Sequence, residues 1–380
     1  MHFSTMVLSM YLPAYSGDDE DEVILKHAID QSLLAGELGF SPWYTEHHFR
    51  GAWHSNPMQF AAYIAPQLPD DLYLGFGVLS LPYYNPIRLV ESMNLLDQLT
   101  KGRALYGLGS GFAGLEPRGM GLDKDYHGSG KAGEETLEIM RRLWAYKPGD
   151  PEYIFETPMH RGTITRRVVP APYRKRHPTL IRTARRDESV VKAAENGWPA
   201  FLGTFGSDLR TQLRIYRQTL ADSNHAPEVV AECLRWCTCD WLAVVVADTD
   251  EEAQAAAARA KVERMKTRDA FIAAGGPMDG PALVKKPGDN MGANFAKGGD
   301  MWDMVAGSPD TVAREIQKLA DLGINHLLVR FMGEFPGETR PILEKSMRLF
   351  SKEVMPRFKH IQPPANPFSI DLGTAQAHAA

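Results

Sequence analysis

The tetrapeptide Glu46-His47-His48-Phe49 carries the strongest candidate catalytic groups of the sequence, and it follows a predicted strand over Ser41–Thr45. An imidazole changes charge near neutral pH, so either ring can act as a general base or relay a proton. Successive side chains of an extended segment point to opposite sides, so only one ring should face a given site. We therefore predict His47 and His48 as catalytic candidates without a shared metal; a hydrogen-bonded structural histidine is the alternative.

A second group of polar residues lies where a predicted strand meets a predicted helix. Arg185, Arg186 and Ser189 occupy this junction. The N–H groups and dipole of a helix N-terminus attract anions, and guanidinium groups add charged hydrogen bonds. The junction therefore predicts a phosphate site, although arginines on a solvated surface would look the same in sequence.

The stretch Gly109–Gly114 matches the glycine fingerprint of dinucleotide-binding proteins letter for letter. That fingerprint requires a helix that begins at its last glycines, so that the helix N-terminus meets a pyrophosphate. The next residues, Leu115–Gly121, include Pro117 and two glycines and predict no regular helix. A nicotinamide-nucleotide fold is therefore not expected, and the glycines would instead allow a flat ligand to approach the backbone.

Glycines also alternate in the segment Gly75-Phe76-Gly77-Val78, near the end of another predicted strand. Glycine inside a strand indicates a bulge or a close approach of a ligand. Tight packing of a neighbouring side chain against the strand explains the same pattern. The two interpretations stay open at this stage.

Strand and helix patterns alternate about eight times along the chain, which predicts a parallel sheet and, with eight units, an α/β fold of the (β/α)8 TIM barrel type with insertions. In such a barrel the strand ends gather the candidate residues at one mouth. Two segments, Gly111–Lys131 and Gly275–Asp303, exceed the repeating unit; the second predicts an active-site lid or disorder. The predicted strands are Phe3–Leu12, Ser41–Thr45, Leu72–Leu81, Arg103–Leu108, Thr179–Thr183, Pro199–Gly203, Cys239–Val246 and His326–Phe331.

Composition limits the functions that the chain can have. It has 380 residues, 44% hydrophobic and 23% charged, with a net charge of -5. Such a chain is globular, and its surface has no general attraction for nucleic acid or anionic membranes. The length fits two domains or one large barrel, and we predict a single barrel domain over residues 1–360 with a flexible tail over 361–380.

Cysteine usage and the N-terminal segment predict a cytoplasmic protein. The three cysteines, Cys233, Cys237 and Cys239, are odd in number and clustered, which fits neither a disulfide framework nor a zinc site. No apolar run approaches the ~20 residues that span a bilayer, and the first ten residues lack the features of a signal peptide.

Several motifs together resemble the bacterial luciferase-like flavin-dependent monooxygenases, the family of the luciferase alpha subunit and limonene monooxygenase. The resemblance extends in order from Met1 to about Lys359. Its longest run is Asn94–Arg103, of sequence NLLDQLTKGR. The other matching residues are Glu46-His47-His48-Phe49, Asn56-Pro57, Leu81-Pro82, Asn85-Pro86-Ile87-Arg88, Gly107, Gly111, Gly197-Trp198-Pro199, Gly307-Ser308-Pro309 and Val354-Met355-Pro356.

The resemblance implies a luciferase-like barrel that binds reduced FMN at its strand ends and needs no metal. His47 falls on the family's catalytic histidine and His48 on its neighbour. Gly77 and Val78 fall on a bulge with a non-prolyl cis peptide beneath the flavin ring. The remaining implied cofactor-binding residues are Ser110, Glu116, Arg185, Arg186 and Ser189. Gly109 and Ser110 stand where the luciferase alpha subunit has a reactive cysteine and a phosphate-contacting arginine.

The reaction that the resemblance implies is that of a two-component monooxygenase. A separate NAD(P)H:flavin reductase would supply FMNH2, and O2 would react through a flavin C4a-(hydro)peroxide with a small apolar aldehyde, ketone or alkene. A homodimer through the helices Asn56–Ile64 and Pro86–Leu99 is also implied. The alternatives are hydride transfer with the deazaflavin F420 and a non-catalytic flavin-binding protein.

Overall fold

The computed structural model of the chain is a barrel of eight parallel strands that closes on itself. This confirms the predicted fold class. The described residues are 1–7, 20–48, 54–111, 115–122, 130–173, 176–184, 186–202, 209–273, 305–333 and 338–372. Arg185 and the whole Gly275–Asp303 loop lie outside them, so the predictions on those residues are not addressed by the structure.

The barrel strands follow one another around the barrel in chain order, and the last pairs with the first. Because every barrel pairing is parallel, all eight carboxyl ends lie at one mouth. The strands are β1 His2–Val7, β2 Ser41–Tyr44, β3 Leu74–Ser80, β4 Ala104–Gly109, β5 Tyr153–Glu156, β6 Arg161–Ile164, β7 Thr179–Thr183, β8 Ala200–Leu202, β9 Thr238–Val246, β10 Val305–Gly307 and β11 His326–Phe331, of which β5, β6 and β10 lie outside the barrel ring.

Helices connect the strands and cover the outside of the barrel. Apolar side chains fill the space between them and the sheet in two large clusters. Among the described helices, none is long and apolar enough to cross a membrane. The helices are α1 Glu20–Glu37, α2 Pro57–Ile64, α3 Pro86–Leu99, α4 Leu115–Gly119, α5 Lys131–Ala145, α6 Asp187–Glu195, α7 Leu209–Asp222, α8 Pro227–Arg235, α9 Asp250–Ala273, α10 Pro309–Asp321 and α11 Arg340–Leu349.

The structure adds elements that the sequence pattern did not predict. Helix α8 fills the gap before β9, and its signals were present: Pro227 at the first helical position and apolar residues at helical spacing, namely Val229, Val230, Cys233 and Leu234. Strand β10 is only three residues long and pairs beside the end of β9. Between α5 and β7 the chain forms the antiparallel hairpin β5–β6.

The three cysteines are buried, and none of them forms a disulfide bond. In the part of the chain that the structure describes, no group of three or more His, Cys, Asp or Glu side chains could hold a metal ion. The segment after residue 360 packs on the barrel as far as Leu372, which is buried, and Arg210 donates a hydrogen bond to the Leu372 carbonyl at 3.1 Å.

The amino end of the barrel interior is closed by a polar network around His326. Its Nδ1 lies 2.7 Å from Thr238 Oγ1, and its Nε2 lies 2.8 Å from Ser4 Oγ. Since Thr238 already donates to the Trp236 carbonyl, Nδ1–H donates to Thr238 and Nε2 accepts from Ser4. Burial lowers the pKa of His326 well below its usual value, so the ring stays neutral.

An apolar layer fills the barrel interior above this network. Six of its members come from six different strands, and Trp236 precedes β9. They are Met6, Trp43, Leu105, Ile181, Phe201, Trp236 and Leu328. This layer separates the amino end of the barrel from the mouth where the strands end.

The glycine at position 75 is explained by Trp43 in this layer. A Cβ atom built on Gly75 would lie 1.9 Å from Trp43 Cε2, inside the indole ring. Tight packing, rather than a ligand, therefore requires glycine at this position.

Gly75→Ala should destabilise the protein by about 3 kcal/mol, the upper range for overpacking a core. The cost should fall by more than half in a Trp43→Leu background, since the ring that collides is gone. Urea unfolding of the two single variants and the double variant measures this coupling. An equal cost of Gly75→Ala in both backgrounds would contradict the packing explanation.

Candidate active site

The predicted histidines lie at the mouth of the barrel, just beyond the end of β2. Both rings are partly buried, and each takes a different buried carboxylate as its partner. This is the arrangement expected from side chains that leave a strand in opposite directions. Two adjacent histidines are thereby paired with two different carboxylates.

His47 is held by Glu116, which lies on the short helix α4 after β4. The His47 Nδ1 atom lies 3.1 Å from Glu116 Oε1, and the Tyr83 hydroxyl donates to Glu116 Oε2 at 3.2 Å. Glu116 is 0% exposed, so the carboxylate depends on such donors. An ionised carboxylate only accepts, so the proton of a neutral His47 ring lies on Nδ1.

His48 is held by Glu46, two residues before it. The His48 Nε2 atom lies 3.1 Å from Glu46 Oε1. The same carboxylate accepts the Tyr84 hydroxyl at 2.5 Å and the Ser80 backbone N–H at 2.6 Å. Burial, followed by the Glu46 charge and hydrogen bond, raises the pKa of Tyr84 far above its usual value. Tyr84 is therefore a permanent donor here.

The two tyrosines are positioned by the turn that joins β3 to α3. Leu81–Tyr83 forms one turn of 3-10 helix that contains Pro82. Asn85 then caps α3, where its side chain accepts from the backbone N–H groups of Ile87 and Arg88. Tyr83 thereby reaches Glu116, and the next residue, Tyr84, reaches Glu46.

The prediction that no helix follows Gly114 was wrong. Leu115–Gly119 forms helix α4, which carries Glu116. Pro117 is compatible with this helix because it lies in the first turn, where backbone N–H groups have no intrahelical acceptor. The closed barrel, rather than the lack of a helix, excludes a dinucleotide-binding fold.

A bulge interrupts β3 beside the histidines. The Gly77–Val78 peptide bond is cis and non-prolyl, and the register against β4 shifts between Phe76 and Leu79. This geometry matches what the resemblance implies for the two residues. Their contact with a cofactor stays a prediction.

Two glycines of β4 make room for this bulge. A Cβ atom on Gly107 would lie 2.1 Å from the Phe76 carbonyl oxygen, and one on Gly109 would lie 2.6 Å from Val78 Cγ2. Larger residues there would displace the bulge. The fingerprint-like glycines thus serve a strand contact as well as any ligand.

The remaining predicted cofactor residues lie around the same mouth. Ser110 is partly exposed, and its Oγ lies against Gly133 of α5. Arg186 is exposed and is the N-cap residue of α6, while Ser189 N–H donates to the Arg186 carbonyl at 2.8 Å. The first turn also carries Asp187 and Glu188, which weaken the attraction of this helix end for an anion. The phosphate site therefore stays a prediction.

The sequence profile of the family described as "Luciferase-like monooxygenase" matches residues 5–326. The chain belongs to this family. Among curated relatives, the alkanal monooxygenase alpha chain of Photorhabdus luminescens is 26% identical over 244 residues, covering 63% of this chain and 64% of the relative. Limonene 1,2-monooxygenase of Rhodococcus erythropolis is 36% identical over 135 residues, 35% of this chain and 34% of the relative.

Solved structures of the same fold cover nearly the whole chain. Monooxygenase RslO1 from Streptomyces bottropensis has a TM-score of 0.70 at 20% identity and covers 94% of this chain and 100% of its own. The oxygenating constituent of 3,6-diketocamphane monooxygenase from Pseudomonas putida, in complex with FMN, has a TM-score of 0.69 at 18% identity and covers 94% and 99%. The luciferase-like barrel and the predicted monooxygenase family are thereby confirmed.

Sequence reasoning missed Glu46, Tyr83 and Tyr84 as site residues. Glu46 lies inside the tetrapeptide that was singled out, and the tyrosines directly precede the helix cap at Asn85. A carboxylate beside two histidines at a strand end was a usable signal. Tyr84 lies 38 residues after Glu46 and Tyr83 lies 33 residues before Glu116, and these separations hid both contacts.

Glu46→Gln should lower the free energy of unfolding by about 1–3 kcal/mol. The new NH2 group would face a donor whose hydrogen bond the carboxylate accepts in the unaltered protein. Urea unfolding measures the loss. Glu37→Gln is the matched control, since Glu37 forms an exposed ion pair with Arg348 and should cost less than about 1 kcal/mol. Equal stability changes in the two variants would show that the three donors do not depend on the Glu46 charge.

Proposed function

We propose that this protein is the oxygenase of a two-component system, which uses reduced FMN from a separate NAD(P)H:flavin reductase and O2 to oxygenate a small apolar aldehyde, ketone or alkene. The observation that carries the proposal is the His47–Glu116 pair beside the bulge at Gly77–Val78, in a barrel of this family. The names of similar proteins support the substrate class, since they refer to an alkanal, to limonene and to a diketocamphane.

The mouth of the barrel fits a flat cofactor. Gly107 and Gly109 have no side chains, and Val78 projects over them from the bulge. These residues and Gly77 would lie beneath the ring, with Ser110 beside it and with Arg185, Arg186 and Ser189 toward the phosphate. When bound, reduced FMN supplies the electrons that activate O2.

The chain's own residues would position one proton and exclude water. Glu116 fixes the His47 ring so that Nε2 can take or give a proton in the site. Tyr83 restrains the same carboxylate from its other oxygen. Below the site, the apolar layer around Trp43 and Leu328 blocks access of water through the barrel.

Two other functions remain candidates within this architecture. An F420-dependent secondary alcohol dehydrogenase shares the fold, with a TM-score of 0.62 at 15% identity. A flavin-binding protein without turnover is the other. We also propose a cytoplasmic location, which is supported by three buried cysteines that form no disulfide bond.

Mixing the anaerobic protein and stoichiometric FMNH2 with oxygenated buffer should give a long-lived species that absorbs in the near ultraviolet before oxidised flavin appears. Stopped-flow absorbance measures its lifetime. A pocket that excludes water and holds protons at fixed atoms should slow its decay. Oxidation at the rate of free flavin would remove the monooxygenase proposal, and consumption of reduced F420 with a secondary alcohol or ketone pair would favour hydride transfer.

His47→Ala tests the proposed proton role of His47 through product yield and FMN affinity. With an aldehyde, a cyclic ketone and a cyclic alkene as trial substrates, product yield should fall by about a hundredfold, the scale of general acid–base catalysis. FMN affinity should stay within about twofold. His360→Ala is the control, since His360 is exposed beyond the last helix. An unchanged yield in His47→Ala would exclude the proton role.

We further propose a homodimer through α2 and α3. Tyr63, Leu95 and Leu99 on these helices are 60%, 51% and 61% exposed, and such an apolar group is typical of an interface. Light scattering should give twice the chain mass of 42.3 kDa, and Leu95→Lys with Leu99→Lys should weaken association by at least about tenfold. Phe368→Lys, at an exposed apolar residue elsewhere on the surface, should leave association unchanged. A monomer in the unaltered protein would refute the dimer.

A further inference from the structure

Strand β11 directs an arginine into the barrel. The side chain of His326 contacts Ser4 and Trp43 inside the barrel, and Leu328 belongs to the interior layer. Phe331 points outward and packs against the ring of Phe350 at 5.5 Å between centroids. Because side chains alternate along a strand, Arg330 points inward at the carboxyl end of β11 and is only partly exposed.

The neighbouring strand is shaped around this position. The β9–β11 register shifts between Val329 and Phe331, and Ala243 on β9 has a positive φ of 61°. An irregularity of this kind bends a strand and re-aims side chains, and such features are common beside active sites. The strand pairing is thus interrupted where Arg330 enters the mouth.

Arg330 lies directly above an apolar floor. The interior residue before it on β11 is Leu328, which packs with Trp43 and Leu105 in the layer that fills the barrel. A guanidinium group at this position can bind a negative charge or a strong acceptor that a ligand brings into the mouth.

The position of β11 indicates which end of a bound FMN molecule would reach Arg330. The predicted phosphate residues follow β7, and β11 is three strands further around the barrel, through β8 and β9. A cofactor anchored by its phosphate beyond β7 would direct its ring across the mouth toward β11. The ring of reduced flavin carries a negative charge at N1 and the C2 carbonyl at neutral pH, whereas the oxidised ring is neutral.

We propose that Arg330 recognises the negative charge of the reduced flavin ring and thereby makes the site prefer reduced over oxidised FMN. This inference rests on the proposed function, because it requires FMN in the barrel mouth. It assigns to Arg330 a specificity role for the redox state of the cofactor.

The test compares the affinities of reduced FMN, oxidised FMN and reduced riboflavin for the unaltered protein, Arg330→Met and Arg330→Lys. Anaerobic fluorescence and absorbance titrations measure all three. Arg330→Met should weaken both reduced flavins by at least about tenfold and oxidised FMN by less than about twofold, while Arg330→Lys should retain most of the preference. Tenfold weaker binding of the reduced form alone lowers the potential of bound FMN by about 30 mV.

Arg182→Met is the matched control. Arg182 is also a barrel-strand arginine, but it faces α5 and forms an ion pair with Glu134. Its loss should leave the ratio of reduced to oxidised affinity unchanged, and thermal unfolding checks that all variants fold.

Each remaining outcome overturns one proposal. Equal weakening of both redox states in Arg330→Met, or no weakening, would refute the role of Arg330. Weakening of FMN but not riboflavin would also refute it, because Arg330 would then hold the phosphate. Failure of the unaltered protein to bind FMN in either state would instead refute the proposed function.

Discussion

A carboxylate is stable inside a protein only where hydrogen-bond donors surround it, and the mouth of this barrel holds two such groups. Glu46 and Glu116 are almost completely buried, and their donors come from the end of β3 and from the segments after β2 and β3. The need to satisfy these charges fixes the turn at Tyr83 and Tyr84 and the orientation of both histidines. The chemistry of the site and the connection of its loops therefore depend on the same few hydrogen bonds.

The barrel itself was predictable because its signals are local. Alternation of strand and helix patterns gave the architecture, and β7 and β11 begin and end at the predicted residues. Helix α4 was missed because Pro117 and the surrounding glycines mask a single turn whose stability comes from its contacts. Local propensity cannot reveal an element that depends on a histidine about 70 residues earlier in the chain.

The site was predictable only in part, for a related reason. His47 and His48 were predictable from their residue type and their position at a strand end, but their partners were not. Glycine was ambiguous in the sequence: Gly75 accommodates an indole ring, whereas Gly107 and Gly109 accommodate the bulge at Val78. Which neighbour fills the space of an absent side chain is a tertiary property, so the sequence could indicate close approach but not its cause.

The apolar layer around Trp43 lies between two polar regions of the barrel interior. One is the neutral histidine network at the amino end, and the other is the charged mouth. The network at the amino end links β1, β9 and β11, where the sheet closes. Substitutions in the loops of the mouth therefore leave these contacts in place. A family built on this plan can acquire new substrates through loop changes while its folding stays intact, which is a structural basis for evolvability.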